Sequence, residues 1–117
     1  MNSYKKSGTL QGIRVIEFAG LGPGPFACML LSDMGAEVIR IDRPGGHPAN
    51  PLDIVGRGRN TIRLDLKDPE AKNQVLELLT CADVLVEGFR PGVMERLGLG
   101  PEVVVEKNSR LVYARMT

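Results

Sequence analysis

Residues 11–44 read as a strand, a glycine-proline loop, a helix and a second strand, and this unit limits the possible folds more than any other stretch. The apolar run at 13–18 is short and rich in β-branched residues, which is typical of a buried parallel strand. Residues 20–25 turn the chain, Gly35 is placed to end the helix, and residues 38–41 form the second strand. Such a unit is right-handed, and its ligands normally bind outside the carboxyl ends of the strands.

The helix of this unit carries Phe26, Leu30 and Met34 at four-residue spacing, with Ala27 and Leu31 beside them. This spacing predicts that these side chains form the face of the helix that packs on the core.

The rest of the chain repeats the same alternation. Further strands are predicted at 61–66, 83–87 and 111–116, and helices begin at Asp68-Pro69, near Val93 and at Pro101. The pattern predicts an α/β fold, a Rossmann-like parallel sheet with flanking helices. We expect a flexible amino-terminal segment at 1–10 and one domain at 11–117. Because no helix follows the last strand to cover the sheet, that domain is expected to be the incomplete amino-terminal part of a larger one, and a naturally small domain is the alternative.

The length, net charge and composition of the chain exclude several classes of protein. With 117 residues and a net charge of +1, the chain has room for at most one domain and lacks the strongly basic balance of a nucleic-acid binder. No apolar run approaches the ~20 residues that span a bilayer, so no membrane partner is expected. Cys28 falls inside the first helix and Cys81 at the end of another, and both are predicted to be buried free thiols of a reducing compartment.

A dinucleotide site is one hypothesis, because a glycine-rich loop joins strand to helix and Asp42 follows about twenty residues later. However, the third glycine of the G-x-G-x-x-G pattern would fall at Pro25. Pro23 and Pro25 also remove two backbone N–H donors from the turn that would hold a pyrophosphate. The residues therefore argue against a nicotinamide cofactor.

A site for a phosphorylated ligand is a second hypothesis. Residues 40–67 contain six cations against three acids, and Arg90 follows a later strand. Those expected to converge on the carboxyl edge of the sheet are Arg43, Arg57, Arg59, Lys67 and Arg90, whereas Arg63 alternates with apolar neighbours and is assigned a structural role. Guanidinium and ammonium groups suit phosphate oxygens. The alternative is that these side chains only solvate surface loops.

No catalytic group is recognisable from the residues alone. His47 is the only histidine and lies in a glycine-proline loop without a carboxylate at a recognisable spacing. Two cysteines and one histidine cannot supply the four ligands of a zinc site, and no serine lies in a G-x-S-x-G context.

Four ordered motifs together resemble the amino-terminal segment of the family III CoA-transferases (CaiB/BaiF type). They are LQGIRVIEFAGLGPGPFACMLLSDMGAEVIRIDRP, GRGRNTIRLDLKDPEAK, DVLVEGFRPGVMERLGLGPE and NSRLVYARMT, and they cover the chain from about Leu10 to Thr117. The resemblance implies a Rossmann-like domain in an intertwined homodimer, and acyl-CoA as substrate without a metal or redox cofactor. It also implies a location in the cytoplasm of a bacterium or in an organellar matrix of a eukaryote.

The CoA contacts of that family carry over onto matching positions. The resemblance implies that cations pair with the CoA phosphates, and that backbone groups and Phe89 hold the adenine and pantetheine. The positions are Arg43, Leu64, Asp65, Leu66, Lys67, Gly88, Phe89, Arg90 and Arg96.

Within the family, GLGPGPF, IDRP and YARMT are most similar to the racemase members, which invert the carbon next to the thioester by removing and returning its proton. The catalytic His and Asp of those racemases match positions beyond Thr117, and His47 matches neither. We therefore expect a racemase fragment that binds CoA and lacks the proton-transfer groups. The alternatives are a fragment of a transferase that moves CoA between carboxylic acids, and a small non-catalytic module that binds CoA or a nucleotide.

Overall fold

The computed structural model describes residues 7–45 and 54–116. Within these ranges five strands and four helices follow one another along the chain. They are β1 (Arg14–Phe18), α1 (Pro23–Asp33), β2 (Glu37–Asp42), β3 (Arg59–Arg63), α2 (Pro69–Thr80), β4 (Val84–Glu87), α3 (Val93–Arg96), α4 (Pro101–Lys107) and β5 (Val112–Arg115).

The strands form one sheet in the order β3-β2-β1-β4-β5, and every neighbouring pair is parallel. This arrangement confirms the predicted α/β fold with a Rossmann-like parallel sheet and flanking helices. Hydrogen bonds continue beyond the strands at their carboxyl ends, since Leu64 N–H donates to Asp42 O and Met116 N–H donates to Glu87 O. The loops that follow the strands are therefore held at one edge of the sheet.

The two faces of the sheet bury separate apolar clusters. Ile16 and Leu85 face the side covered by α2, α3 and α4, where Leu79, Met94 and Val104 complete the cluster. Val15, Val38 and Val86 face the opposite side, where Cys28 of α1 packs. This division follows from the alternation of side chains along a strand.

The predicted core face of α1 is wrong. Phe26, Leu30 and Met34 are 52%, 42% and 42% exposed. The buried positions of α1 are Gly24, Cys28, Met29 and Ser32. Because α1 has apolar residues on both sides, spacing alone could not choose between its faces. The face with small residues lies toward the sheet, and there Ser32 Oγ donates a hydrogen bond to Gly58 O.

The end of α1 is as predicted. Gly35 follows the helix with φ 104°, in the left-handed region that favours glycine. A Cβ at Gly35 would also lie 3.0 Å from the backbone of Ser7. The sharp turn into β2 therefore requires glycine.

The third strand differs from its predicted bounds, since it begins two residues earlier, at Arg59, and ends at Arg63. Residues 65–68 form a turn instead. In α2, Asp68 is the N-cap and its side chain accepts a hydrogen bond from Glu70 N–H, as predicted, with Pro69 at the first helical position.

Part of the predicted flexible segment is described. Leu10 N–H donates to Met34 O at 2.9 Å, and the Leu10 side chain packs against the α1 cluster. Residues 1–6 and most of the long loop, 46–53 with His47, lie outside the described residues. In the part of the chain that the structure describes, none of the helices is both long and apolar enough to cross a membrane.

Candidate functional site

Two groups of predicted CoA contacts lie at the carboxyl edge of the sheet. The first comprises Arg43, which directly follows β2, and residues 64–67, which directly follow β3. The hydrogen bond from Leu64 N–H to Asp42 O, at 2.8 Å, places the two loops side by side. The structure thus brings together residues that are more than twenty positions apart in the sequence.

Asp65 shapes the turn of this first group. Its side-chain Oδ1 accepts a hydrogen bond from Lys67 N–H at 3.0 Å, and its carbonyl accepts one from Asp68 N–H at 2.9 Å. An aspartate that bonds the backbone two residues on is a common turn former. Leu64 and Leu66 pack against the core cluster, whereas the Lys67 residue is exposed. The turn therefore anchors its leucines and presents its lysine to solvent.

The second group follows β4. Gly88, Phe89 and Arg90 form the loop, and the Phe89 ring packs edge-on against Phe18 with the ring centroids 6.3 Å apart. This loop leaves the sheet beside the end of β1, at the point where the strand order reverses and where open α/β sheets bind ligands. Because β1 lies between β2 and β4, the two groups are separated by about 10 Å.

Arg96 belongs to the second group through α3. Its side chain turns back over Gly92, where a Cβ would lie 2.9 Å from Arg96 Nη1. Gly92 has φ 86°, so glycine is required there for the backbone conformation as well. Arg90 and Arg96 therefore lie on one short segment that begins at the end of β4.

The cations of these groups are available to a ligand. Within residues 7–45 and 54–116, Arg43, Lys67, Arg90 and Arg96 make no ion pair, whereas Arg63 lies 3.7 Å from Asp42. All four residues are exposed. Unpaired cations at the carboxyl edge give it a positive potential that suits phosphate groups.

Two of the predicted edge cations lie elsewhere. Arg59 starts β3, and its buried guanidinium donates to Glu17 Oε1 at 2.8 Å and to the carbonyl oxygens of Val55, Arg57 and Pro25. Arg57 pairs with Asp33 at the end of α1, with Nη2 2.6 Å from Oδ2. Both predictions are wrong, because Arg59 is held by the buried Glu17 and by carbonyl oxygens, and Arg57 is held by the exposed Asp33.

Sequence reasoning missed two buried glutamates. Glu17 on β1 is 1% exposed and also has Arg40 Nε at 3.6 Å from Oε1. Glu87 at the end of β4 is 3% exposed and pairs with Arg115 of β5. The available signal was a charged residue within or ending an apolar strand, since buried carboxylates need partners.

The amino terminus of α1 offers few donors to a pyrophosphate. Pro23 opens the helix after Gly22, and Pro25 N has no hydrogen, while Phe26 N–H already donates to Gly22 O. The geometry therefore weakens the dinucleotide hypothesis for the same reason as the sequence does.

The two cysteines differ in their surroundings. Both are free, and Cys28 is buried as predicted, where burial first and then the Glu17 charge raise the pKa of its thiol to about 12. The prediction for Cys81 is wrong, because it is exposed and lines an open groove with Ile62 and Leu78. Within the described ranges, no three His, Cys, Asp or Glu residues are grouped so that they could hold a metal ion.

The chain is similar in sequence to enzymes that act on CoA thioesters, by their names. The chain is 49% identical over 108 residues to the alpha-methylacyl-CoA racemase of Homo sapiens, covering 92% of this chain and 28% of that protein. It is 38% identical to the acetyl-CoA:oxalate CoA-transferase of Acetobacter aceti, covering 94% of this chain and 31% of that one.

A solved structure shares the fold. The crystal structure of Rv3272 from Mycobacterium tuberculosis matches with a TM-score of 0.87 and 43% identity, over 96% of this chain and 33% of that chain. The chain thus spans about a third of the length of these three relatives. The model of CoA-transferase family III matches residues 10–117, and the chain belongs to this family.

Proposed function

We propose that this chain forms the CoA-binding part of an acyl-CoA racemase, an enzyme that inverts the configuration of the carbon next to the thioester. The observation that carries the proposal is the set of four cations without ion pairs at the carboxyl edge, within the described residues. The similarity to a racemase over 92% of the chain supports the choice of reaction. The ligand is an acyl-CoA, and the proposed partner is a second copy of the complete protein.

The proposed roles follow from the two groups of contacts. Arg43 and Lys67 bind phosphate on one side of β1, and Arg90 and Arg96 bind phosphate on the other side. Backbone groups of 64–66 and 88, with the Phe89 ring, hold the adenine and pantetheine. CoA enters as part of the substrate, and the proposed reaction uses no metal or redox cofactor.

We propose that this chain does not itself transfer the proton. Inversion next to a thioester needs a base to remove the C2 proton and an acid to return it. The buried carboxylates of the described region, Glu17 and Glu87, are both held in ion pairs with arginine. We therefore propose that the proton-transfer groups lie in another part of the complete protein.

Arg43→Ala is expected to weaken the binding of acetyl-CoA about 10- to 150-fold, because a charge-assisted bond to phosphate contributes about 1.5–3 kcal/mol. Isothermal titration of acetyl-CoA into the purified chain measures the change. The matched control is Arg14→Ala, since Arg14 lies at the amino edge and pairs with Glu37. Equal dissociation constants for Arg43→Ala and the unchanged chain would contradict the site.

A transferase is the second candidate, and the similarity to an oxalate CoA-transferase favours it over other reactions of CoA. Incubation of the same preparation with 2-methylacyl-CoA in D₂O and an acceptor carboxylate tests whether this segment alone catalyses either reaction. We expect binding without turnover. Deuterium at C2 would contradict the absence of proton-transfer groups, and movement of CoA to the acceptor would favour the transferase. The remaining alternative, a small non-catalytic module, would bind CoA as a protein of 117 residues and not as part of a longer one.

A further inference from the structure

Glu87 holds the start of the loop that carries Phe89 and Arg90. Each of its carboxylate oxygens has its own donor, since Oε1 accepts from Phe89 N–H at 2.9 Å and Oε2 accepts from Arg115 Nε at 2.8 Å. The Glu87 residue is 3% exposed. A buried carboxylate is costly unless its oxygens are paired, so both bonds offset the cost of burying Glu87.

Arg115 connects this loop to α3. Its Nη1 and Nη2 donate to the two oxygens of Glu95, each at 2.8 Å. This bidentate pair fixes the orientation of the two side chains as well as their distance. The hydrogen bonds from Arg115 lower the pKa of Glu95 to about 2. Every nitrogen of this guanidinium is thus engaged with a carboxylate, and the group is not offered to a ligand.

The segment between these two glutamates carries the second group of proposed CoA contacts. Glu87 and Glu95 lie on either side of residues 88–94, and Arg96 directly follows Glu95. One guanidinium therefore holds both ends of the segment on which Arg90 and Arg96 lie.

We infer that Arg115, with Glu87 and Glu95, is a positioning unit that sets the separation and direction of Arg90 and Arg96 for the phosphates of CoA. The inference rests on the proposed function, and it gives a role to residues that do not themselves contact the ligand. A flexible segment would lose freedom on binding, so a segment held beforehand binds more tightly.

The first test is amide hydrogen exchange of the unliganded 117-residue chain. Arg115→Met is expected to raise exchange in residues 88–96 about tenfold, while residues 14–18 and 37–42 keep their protection. Arg57→Met is the matched control, because it removes another arginine–carboxylate pair away from this segment. If Arg115→Met raises exchange throughout the sheet, Glu95→Gln is compared with the unchanged chain instead. That change weakens only the exposed pair between Glu95 and Arg115. Unchanged exchange in 88–96 would overturn the inference.

The second test is a double-mutant cycle on CoA binding with Arg90→Ala and Arg115→Met. If Arg115 acts through the segment, Arg90→Ala should cost about tenfold less in the Arg115→Met background than in the unchanged chain. Arg115→Lys keeps the charge but cannot bond both carboxylates, so it should behave like Arg115→Met. Equal costs of Arg90→Ala in both backgrounds would overturn the positioning role. Absence of CoA binding by the unchanged chain would instead refute the proposed function and with it the role toward CoA, and the exchange result would then decide only whether Arg115 holds residues 88–96 in place.

Discussion

Arg59→Met is expected to lower the free energy of unfolding by about 3–5 kcal/mol, because it removes the 2.8 Å partner of the buried Glu17 carboxylate and leaves it the longer contact to Arg40 and the Cys28 thiol. The change also removes the donor to the carbonyl oxygens of Pro25, Val55 and Arg57. Domains of this size are stable by about 5–15 kcal/mol, so the loss would consume a large share of the total. Urea unfolding followed by circular dichroism measures it.

The control for this prediction is Arg57→Met. Arg57 also pairs with a carboxylate, that of Asp33, but both side chains are more than two-fifths exposed, and exposed pairs contribute little. We expect the midpoint of the Arg57→Met variant to stay near that of the unchanged chain. Equal midpoints for the two variants would contradict the prediction, because they would show that the pair between Arg59 and Glu17 contributes no more than an exposed pair.

Leu85→Ala is expected to lower the free energy of unfolding by about 2–5 kcal/mol. Leu85 is fully buried in β4, where it lies between Ile16 of β1 and Tyr113 of β5. Removing its side chain leaves a cavity that the close-packed sheet and helices can fill only in part. Urea unfolding of the variant and of the unchanged chain, fitted with one shared m-value, measures the difference in the free energy of unfolding.

Leu21→Ala is the matched control, because the same atoms are removed from a side chain that is 92% exposed. A change of less than about 0.5 kcal/mol is expected there. A loss at Leu21 as large as that at Leu85 would contradict the assignment of the core.

The architecture was predictable because the apolar runs are short and alternate with capped helices. Asp68 and Gly35 mark a helix start and a helix end with side-chain chemistry that acts locally. The packed face of α1 was not predictable in the same way. Phe26 and Leu30 satisfy the helical period as well as Cys28 and Ser32 do, and only the small size of the latter suits the side toward the sheet.

The candidate site was predictable only in part. Arg43, Lys67 and Arg90 lie within four residues after the ends of strands, and parallel strands bring their carboxyl ends to one edge. Arg59 was misplaced because its partner Glu17 is 42 residues away, and nothing local indicates the pairing. The same holds for Glu87 and Arg115, which meet only because β4 and β5 are neighbours in the sheet.

The most direct test of the CoA-binding edge is a titration of the ¹⁵N-labelled chain with CoA, followed through its amide resonances. We expect the largest shifts at the amides of 43, 64–67 and 88–90, which follow β2, β3 and β4, and of 96 in α3. Shifts confined to the amino edge, around Arg14 and Glu37, or no shifts at millimolar CoA, would contradict it.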